Sequence, residues 1–294
     1  MTPLFLNSDL QQKFEKYGYV KIPLLSEVQV NELVALFKSS QAEHAEVNTL
    51  HHTTTDTQKP ELITRVDAAI KRIFVPELEK VVRNFKPLAG CFHIKENKAG
   101  SATGIHQDPT FVDETKYYSA NAWVALHDMD EHNGNLFFIP GSNKIECLRI
   151  TPSSPNYYEN FQGELPTMAK QVPLKKGEAV IFSNATIHGA TDNLSNDLRL
   201  AATLLICSEP ADWMIYYSDK DTPKGKIEKY VLDLNSFVTM AKDGRPNRDS
   251  FKEYIHYNFP KLTKEEFVTA AGVAKPKAHY LQRIKNVFKR SEVI

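Results

Sequence analysis

The first part of the chain repeats hydrophobic residues at helical spacing. In "SEVQVNELVALFKSS", which begins at Ser26, the apolar residues Val30, Leu33 and Phe37 lie three or four positions apart. One face of a helix would then be apolar. Ser26 followed by an acidic residue is typical of a helix start. We therefore expect a helix that packs this face against a core.

A second apolar pattern follows after a polar interval. "LITRVDAAIKRIFVPELEKVVRNF" predicts another helix, with a break or kink at Pro76 because proline lacks the backbone N–H that a helix interior needs. The stretch between the two helices, "EHAEVNTLHHTTTDTQKP", is polar and predicts a mobile loop. Residues 1–87 are thus expected to be mainly helical.

From residue 88 to 208 the pattern changes to that of strands. "AGCFHIKEN", "NAWVALHDM", "GNLFFIPGS", "GEAVIFSN" and "LRLAATLLICS" are short, rich in β-branched and aromatic residues, and separated by turn formers. Such spacing without long helices between the strands predicts an antiparallel sandwich or barrel. Residues 209–294 return to mixed character and are expected to form a C-terminal lid and helices. Without repeats or linkers, the simplest organisation is a single α+β domain over 1–294.

The charge and cysteine content exclude several classes of function. The 36 basic residues balance the 36 acidic ones, so no overall field draws the chain to nucleic acid or to an anionic membrane. Three widely spaced cysteines without a CxxC pair support neither a disulfide framework nor a zinc knuckle. The N-terminus lacks the features of a signal peptide, and no segment is apolar enough to span a bilayer. We expect a cytoplasmic protein; its oligomeric state is not predicted.

The stretch "GIHQDPTF" contains a candidate pair of metal ligands, His106 and Asp108. In extended backbone, residues i and i+2 point to the same side, and Pro109 favours extended backbone at the residue before it. On a helix the side chains of the similar pair His44 and Glu46 would diverge, which counts against that pair. We interpret that second pair as a chance occurrence.

A third ligand is available downstream in "AVIFSNATIHGATDN", where His188 follows a strongly apolar strand. Two histidines and one carboxylate form the facial triad that binds Fe(II) and leaves coordination positions open. Zinc could use the same ligands with a water as the fourth. The spacing alone leaves both metals open.

Arg199 lies inside the apolar strand "NDLRLAATLLIC". Strand alternation puts it on the same face as Thr203 and Leu205. A buried arginine must be paired or bind an anion, and its planar fork suits a carboxylate. One interpretation is a structural salt bridge, and the other is an anchor for the far carboxylate of 2-oxoglutarate.

Taken in order, these motifs resemble the phytanoyl-CoA dioxygenase family of Fe(II)/2-oxoglutarate-dependent oxygenases. The resemblance rests on "GIHQDPTF", "NAWVALHDMDEHNGNLFFIPGSNK" and "GEAVIFSNATIHGATDNLSNDLRLAATLLI", with "FEKYGYVKIPLLSEVQVNEL" near the start, and it covers roughly residues 10 to 210. It implies a double-stranded β-helix, or jelly roll, over 88–208, with N-terminal and C-terminal helices packed outside.

The resemblance also implies roles for individual residues. It assigns iron to His106, Asp108 and His188. It implies that Arg199 binds the C5 carboxylate of 2-oxoglutarate and that Trp123 also contacts this cosubstrate. The family often has a small hydroxyl residue two positions after the distal histidine, where this chain has Ala190. Thr191 and Thr203 are the candidates to replace that hydroxyl.

The expected reaction is hydroxylation of an unactivated C–H bond, using O2 and releasing succinate and CO2. Halogenating relatives replace the carboxylate ligand with a small residue, so Asp108 argues against halogenation. The family's substrates are small molecules: amino acids, acyl thioesters, phosphonates or natural-product intermediates. Segments 109–118, 152–170 and 211–250 are expected to be specificity loops. Candidate substrate contacts are His127, Phe111, His93 and Trp213.

Two alternatives from other classes stay open. A zinc- or nickel-dependent jelly-roll hydrolase or isomerase would use the same three ligands but would leave Arg199 without its anion. A non-catalytic small-molecule binding protein would not require all three ligands.

Overall fold

A computed structural model of the protein describes residues 3–152 and 155–272. Residues 273–294 of the predicted C-terminal region lie outside the described part. The helices are α1 (Ser8–Tyr17), α2 (Glu27–Ser39), α3 (Gln41–His44), α4 (Pro60–Leu78), α5 (Leu234–Asp243) and α6 (Lys264–Ala271). Within the described residues, no helix combines the length and the apolar composition that a membrane crossing requires.

The two predicted N-terminal helices are present as α2 and α4. The side chain of Ser26 accepts from the backbone N–H of Gln29 at 3.4 Å and closes a capping box, which explains where α2 begins. Of the break or kink predicted at Pro76, a break at that residue is wrong, since α4 continues through Pro76 to Leu78. Pro76 lies in the last turn, and its missing N–H removes only the one hydrogen bond that this position would donate to Arg72 O.

The strands follow the alternating segments of the sequence and add several others. They are β1 (Tyr19–Pro23), β2 (His51–Thr53), β3 (Phe85–Lys95), β4 (Thr103–His106), β5 (Ser119–Ala125), β6 (Leu136–Phe138), β7 (Lys170–Val172), β8 (Glu178–Ser183), β9 (His188–Ala190), β10 (Arg199–Ser208), β11 (Met214–Tyr217), β12 (Lys226–Val231) and β13 (Phe251–His256).

Most of these strands form two sheets that pack face to face. The major sheet has the order β1-β8-β5-β10-β3-β2, and the minor sheet has the order β4-β9-β6-β7. All the neighbouring strands in both sheets are antiparallel. Trp123 and Val180 of the major sheet share a buried cluster with Leu136 and Phe138 of the minor sheet. The predicted jelly-roll core is confirmed, as two separate sheets rather than a closed barrel.

The opposite face of the major sheet packs against the helices. Buried residues of α1, α2 and α4, such as Phe14, Leu33 and Phe74, form one cluster with Phe92 of β3 and Leu204 of β10. The apolar stripe predicted for α2 is therefore the contact between that helix and the sheet. The molecule has a helical layer, a major sheet and a minor sheet, with the space between the two sheets left for a site.

Two regions contain more strand than the sequence predicts. Strands β1 and β2 form the two edges of the major sheet although they belong to the predicted helical part. The polar stretch predicted as a loop contains the end of α3, β2 and the 3-10 helix Thr54–Thr57, so that prediction is wrong in part. The region after residue 208 adds a third antiparallel sheet, β11-β12-β13, beside α5 and α6.

The tight turn before β8 joins three parts of the major sheet. Gly177 has a positive φ of 84°, its N–H donates to Ala125 O at 2.9 Å, and its carbonyl accepts from the N–H groups of Leu24 and Leu25 at 3.1 and 3.0 Å. A Cβ at this position would lie 2.4 Å from Leu25 O. Only glycine allows both this backbone conformation and this close approach.

We expect Gly177→Ala to lower the free energy of unfolding by about 1–3 kcal/mol, because the substitution adds backbone strain and a clash. Urea denaturation of both proteins measures the difference. Gly163→Ala is the control, since a Cβ at Gly163 meets no atom within 4 Å. Equal stability of Gly177→Ala and the unmodified protein would contradict the role assigned to this turn.

Candidate active site

The predicted metal ligands come together on the minor sheet. His106 ends β4 and His188 begins β9, and the two residues are antiparallel partners. Asp108 Oδ1 lies 3.8 Å from Nε2 of each histidine. Ligand atoms bonded to one ion at about 2.0–2.2 Å are at most about 4.4 Å apart. The three side chains are therefore spaced to share a single metal ion.

Hydrogen bonds to the backbone orient both histidines. His106 Nδ1 lies 2.8 Å from Gly104 O, and His188 Nδ1 lies 2.9 Å from Thr186 O. Each Nδ1–H donates to a carbonyl, which leaves the lone pair of Nε2 free to bind a metal. Burial, and next the neighbouring His106, lowers the pKa of His188 to about 4. At neutral pH this imidazole is uncharged, as a metal ligand must be.

Asp108 is held by three polar contacts, one to its carboxylate and two to its backbone. Asn121 Nδ2 donates to Asp108 Oδ2 at 2.7 Å, which leaves Oδ1 facing the two histidines. The backbone N–H of Asp108 donates to Asn184 O at 3.1 Å. Arg149 Nε donates to Asp108 O at 2.9 Å, and the same guanidinium pairs with Glu114 at 2.6 Å. The ligand loop is fixed from both the side-chain and the backbone side.

A cavity of 200 Å³ extends between the two sheets from these ligands to Arg199. The sequence-predicted residues that line it are His106, Asp108, His188, Arg199, Trp123, Thr203, Phe111 and His93. Three others do not contribute to its wall. Thr191 is buried outside it, His127 Nε2 accepts from Leu200 N at 3.1 Å, and Trp213 packs on Phe237 at a ring distance of 5.2 Å.

Arg199 is 1% exposed and contributes to the cavity wall. Its guanidinium carbon is 5.4 Å from the centre of the Trp123 ring. Within the part of the chain that the structure describes, Nε and Nη1 have no hydrogen-bond partner. Burial lowers the pKa of Arg199 to about 9, so the side chain is still charged at neutral pH. A buried, unpaired guanidinium is stabilised by an anion from outside the chain.

The hydroxyl expected near this arginine is not supplied at position 190. Ala190 lines the cavity, and so does Thr203, whose hydroxyl lies 3.3 Å from Ala122 O. Thr191 Oγ1 is buried and has no partner among the described residues. Of the two predicted replacements, only Thr203 has its side chain in the cavity wall.

Several wall residues were not singled out from the sequence: His51, Thr53, Thr55, Asn121, Phe182 and Phe237. A signal existed for Asn121, which lies two positions before Trp123 on the same strand and hence on the same face. His51 and Thr53 line the cavity because β2 pairs with β3, with His51 opposite Lys95. Phe237 reaches the cavity from helix α5, and no local pattern predicts that contact.

Comparison with known proteins adds family information. A family model described as phytanoyl-CoA dioxygenase (PhyH) matches residues 11–201. A phytanoyl-CoA dioxygenase domain-containing protein 1 homolog of Dictyostelium discoideum is 29% identical over 46% of this chain and 50% of its own length. Phytanoyl-CoA dioxygenase 1 of Oryza sativa subsp. japonica is 32% identical over 43% of this chain and 46% of its own. The chain thus matches about half the length of these relatives.

Solved structures show the same fold. The carbocyclase SnoK, described as non-heme and alpha ketoglutarate dependent, aligns with a TM-score of 0.53 at 20% identity, over 71% of this chain and 86% of its own. The epimerase SnoN, in complex with Fe3+, alpha ketoglutarate and nogalamycin RO, aligns with a TM-score of 0.52 at 21% identity, over 70% and 85%. At this identity the likeness shows the fold alone.

We expect Asn121→Ala to weaken the affinity for a divalent metal by about 10–100-fold, because Asp108 loses the amide that fixes its orientation. Titration of Ni(II) into the metal-free protein by calorimetry measures this change. Asn97→Ala, at an exposed position outside the cavity, is the matched control. An unchanged affinity in Asn121→Ala would show that Asp108 does not depend on this contact.

Proposed function

The chain belongs to the phytanoyl-CoA dioxygenase family, and on that basis we propose that it is a non-haem Fe(II)/2-oxoglutarate-dependent dioxygenase that oxidises a small molecule. One observation carries this proposal: the cavity that begins at the three metal ligands ends at a buried guanidinium without an acidic partner among the described residues. That arrangement suits a ligand that chelates a metal at one end and has a carboxylate at the other.

His106, Asp108 and His188 would hold the iron. The three ligand atoms form one compact group in the described chain, so coordination positions are left for oxygen donors and for O2. When bound, iron and 2-oxoglutarate together supply an oxidant made from O2, with succinate and CO2 as by-products. The task of the protein is to fix the ligands, and the contacts of Asn121, Gly104 and Thr186 serve that task.

Arg199 would bind the C5 carboxylate of 2-oxoglutarate through two parallel hydrogen bonds. The ring of Trp123 lies against the guanidinium and limits its movement, and Thr203 also contributes to the cavity wall. Apolar side chains such as Leu136 and Phe182 close the wall between the two ends. They exclude water from the site, which strengthens charge interactions inside it.

We propose hydroxylation of an unactivated C–H bond as the reaction. Asp108 occupies the coordination position that a halide would need, which supports hydroxylation over halogenation. SnoK is described as a carbocyclase and SnoN as an epimerase, so this fold also accommodates other outcomes. A zinc- or nickel-dependent hydrolase or isomerase would use the three ligands but would give Arg199 no anion to bind.

The wall next to β2 supports a substrate with neutral polar groups and an apolar body. The rings of His93 and His51 are stacked, with 6.0 Å between their centres. Burial lowers the pKa of both histidines, and the charge of Arg199 lowers it further; the pKa of His93 falls to about 3. Both rings are uncharged and can form hydrogen bonds without a counter-ion. Phe111 and Phe237 add apolar surface. The cavity is smaller than the roughly 300–1,000 Å³ of most ligand sites, so the reacting group must be compact.

The first test is cosubstrate binding and turnover. We expect protein reconstituted anaerobically with Fe(II) to bind 2-oxoglutarate and, on exposure to O2, to form succinate faster with one member of a library of amino acids, acyl thioesters, phosphonates and natural-product intermediates. His188→Ala should abolish turnover. Arg199→Met should cost about 2–5 kcal/mol of cosubstrate binding, a fall of roughly 30-fold or more.

Arg65→Met, at an exposed arginine that pairs with Glu43, is the control for the loss of a positive charge. If the unmodified protein binds no 2-oxoglutarate, the oxygenase proposal fails and the metal-dependent hydrolase becomes the better explanation. Binding of 2-oxoglutarate without turnover of any compound would instead favour a binding protein.

Isotope labelling tests the type of reaction. With 18O2, hydroxylation places one labelled oxygen in succinate and one in the product, which mass spectrometry detects as a gain of about 18 mass units in the product. A product that lacks the label and has lost two hydrogens would show desaturation and would overturn the hydroxylation proposal while leaving the cosubstrate assignment in place.

A further inference from the structure

Lys95 is a fully buried lysine directly beside Arg199. It ends strand β3, and its register partner on β10 is Arg199, so both side chains point to the same face of the major sheet. Lys95 is 0% exposed, and its Nζ donates to Thr191 O at 2.7 Å. A Cβ at Gly134 would lie 3.0 Å from Lys95 Cδ and 3.6 Å from Arg199 Nε, so one glycine lies against both cations.

The charged and titratable groups around Lys95 offer little compensation. Arg199 faces it from β10, His51 from β2 and His93 from its own strand. The carboxylate of Asp192, after β9, acts on Lys95 only at long range, and its Oδ1 accepts from the N–H groups of Gly100 and Ala102. Among the described residues, neither Lys95 nor Arg199 forms a salt bridge. Two adjacent buried cations without an acid are unfavourable.

The protein relieves this repulsion at the lysine. Burial, and next the charge of Arg199, lowers the pKa of Lys95 to about 6, whereas the pKa of Arg199 falls only to about 9. Near neutral pH and without an anion, Arg199 keeps its proton and Lys95 is largely the neutral amine. A carboxylate on Arg199 would reverse this, because an opposite charge nearby favours the protonated form.

We propose that Lys95 is a positioning residue of the cosubstrate site that takes up a proton when the C5 carboxylate of 2-oxoglutarate binds Arg199, and so adds a second positive charge beside that carboxylate. The proposal rests on the proposed function, since it takes 2-oxoglutarate as the anion. Lys95 does not line the cavity, so it acts through its charge and through its bond to Thr191 O rather than by touching the ligand.

The sign of the pH dependence follows from the proton balance. If binding takes up a proton, the affinity for 2-oxoglutarate falls as the pH rises through the range between the two pKa values of Lys95, by at most about tenfold per pH unit. His51 and His93, with lowered pKa values, are neutral throughout that range. Above the higher of the two pKa values of Lys95, the amine is neutral in both states and the contribution of Lys95 to the pH dependence ends.

Calorimetry of the unmodified protein is the decisive experiment. 2-Oxoglutarate is titrated into Ni(II)-loaded protein at pH 7.5 in two buffers of different ionisation enthalpy, and the difference in observed heat gives the number of protons taken up. We expect more than about 0.3 proton per cosubstrate, and an affinity that falls by roughly threefold or more between pH 6.5 and 8.5. Because the metal is already bound, its ligands do not contribute to this count.

Lys95→Met removes the titrating group and keeps the length of the side chain. We expect its proton uptake to be close to zero and its affinity to be independent of pH, weaker than that of the unmodified protein at pH 6.5 and similar to it at high pH. A purely structural role would lower affinity equally at every pH. Lys98→Met, at an exposed lysine three residues further on, is the control and should retain the pH dependence.

The outcomes separate the two proposals. Unmodified protein that binds 2-oxoglutarate without proton uptake overturns the role of Lys95 and leaves the oxygenase proposal standing. Uptake that persists undiminished in Lys95→Met assigns the proton to another group and also overturns it. Protein that binds no 2-oxoglutarate overturns both. If Lys95→Met does not fold, the measurement on the unmodified protein still decides.

Discussion

A guanidinium buried between two sheets sets the main electrostatic constraint of this protein. Arg199 begins β10, which lies between β5 and β3 in the major sheet, and its side chain is almost fully buried, which makes its charge costly unless it is paired. The ring of Trp123 lies against the guanidinium, and Gly134, which has no side chain, leaves space next to Arg199 Nε. The imidazoles of His51 and His93 stay neutral. The surroundings of Arg199 therefore suit an anion, in keeping with the proposed role of this residue in binding a carboxylate.

The two sheets divide the chemistry between them. The minor sheet carries both histidine ligands, and the major sheet carries Arg199, Trp123 and Thr203. Asn121 connects the two parts, because it belongs to β5 of the major sheet and binds the carboxylate of Asp108. The distance between the metal ligands and the anion-binding end therefore depends on how the sheets pack, and that packing is fixed by the cluster around Phe138 and Val180.

The sequence predicts those parts of the site that can be recognised from a short local stretch. His106 and Asp108 are two residues apart in extended backbone, and Arg199 interrupts an apolar strand, so both could be recognised locally. Strand β2 could not, because three polar residues show no alternation and become a strand only by pairing with β3. The same limit applies to Phe237 and Lys95. The contact of Phe237 with the cavity and the lowered pKa of Lys95 both arise from tertiary packing. The sequence does not predict the first strand of the C-terminal sheet, β11, because "MIYY" is buried throughout and does not alternate between apolar and polar residues.

The edge position of β2 has a consequence for how this scaffold can change. β2 pairs on one side only, with β3, whereas the strands that carry Arg199 and Asn121 have neighbours on both sides. The wall formed by Thr53 and Thr55 is therefore separable from the catalytic frame. Substitutions or a change in loop length there can alter the selectivity of the proposed oxygenase without moving the three candidate metal ligands or Arg199. A directed-evolution library for new selectivity should begin at this edge of the sheet.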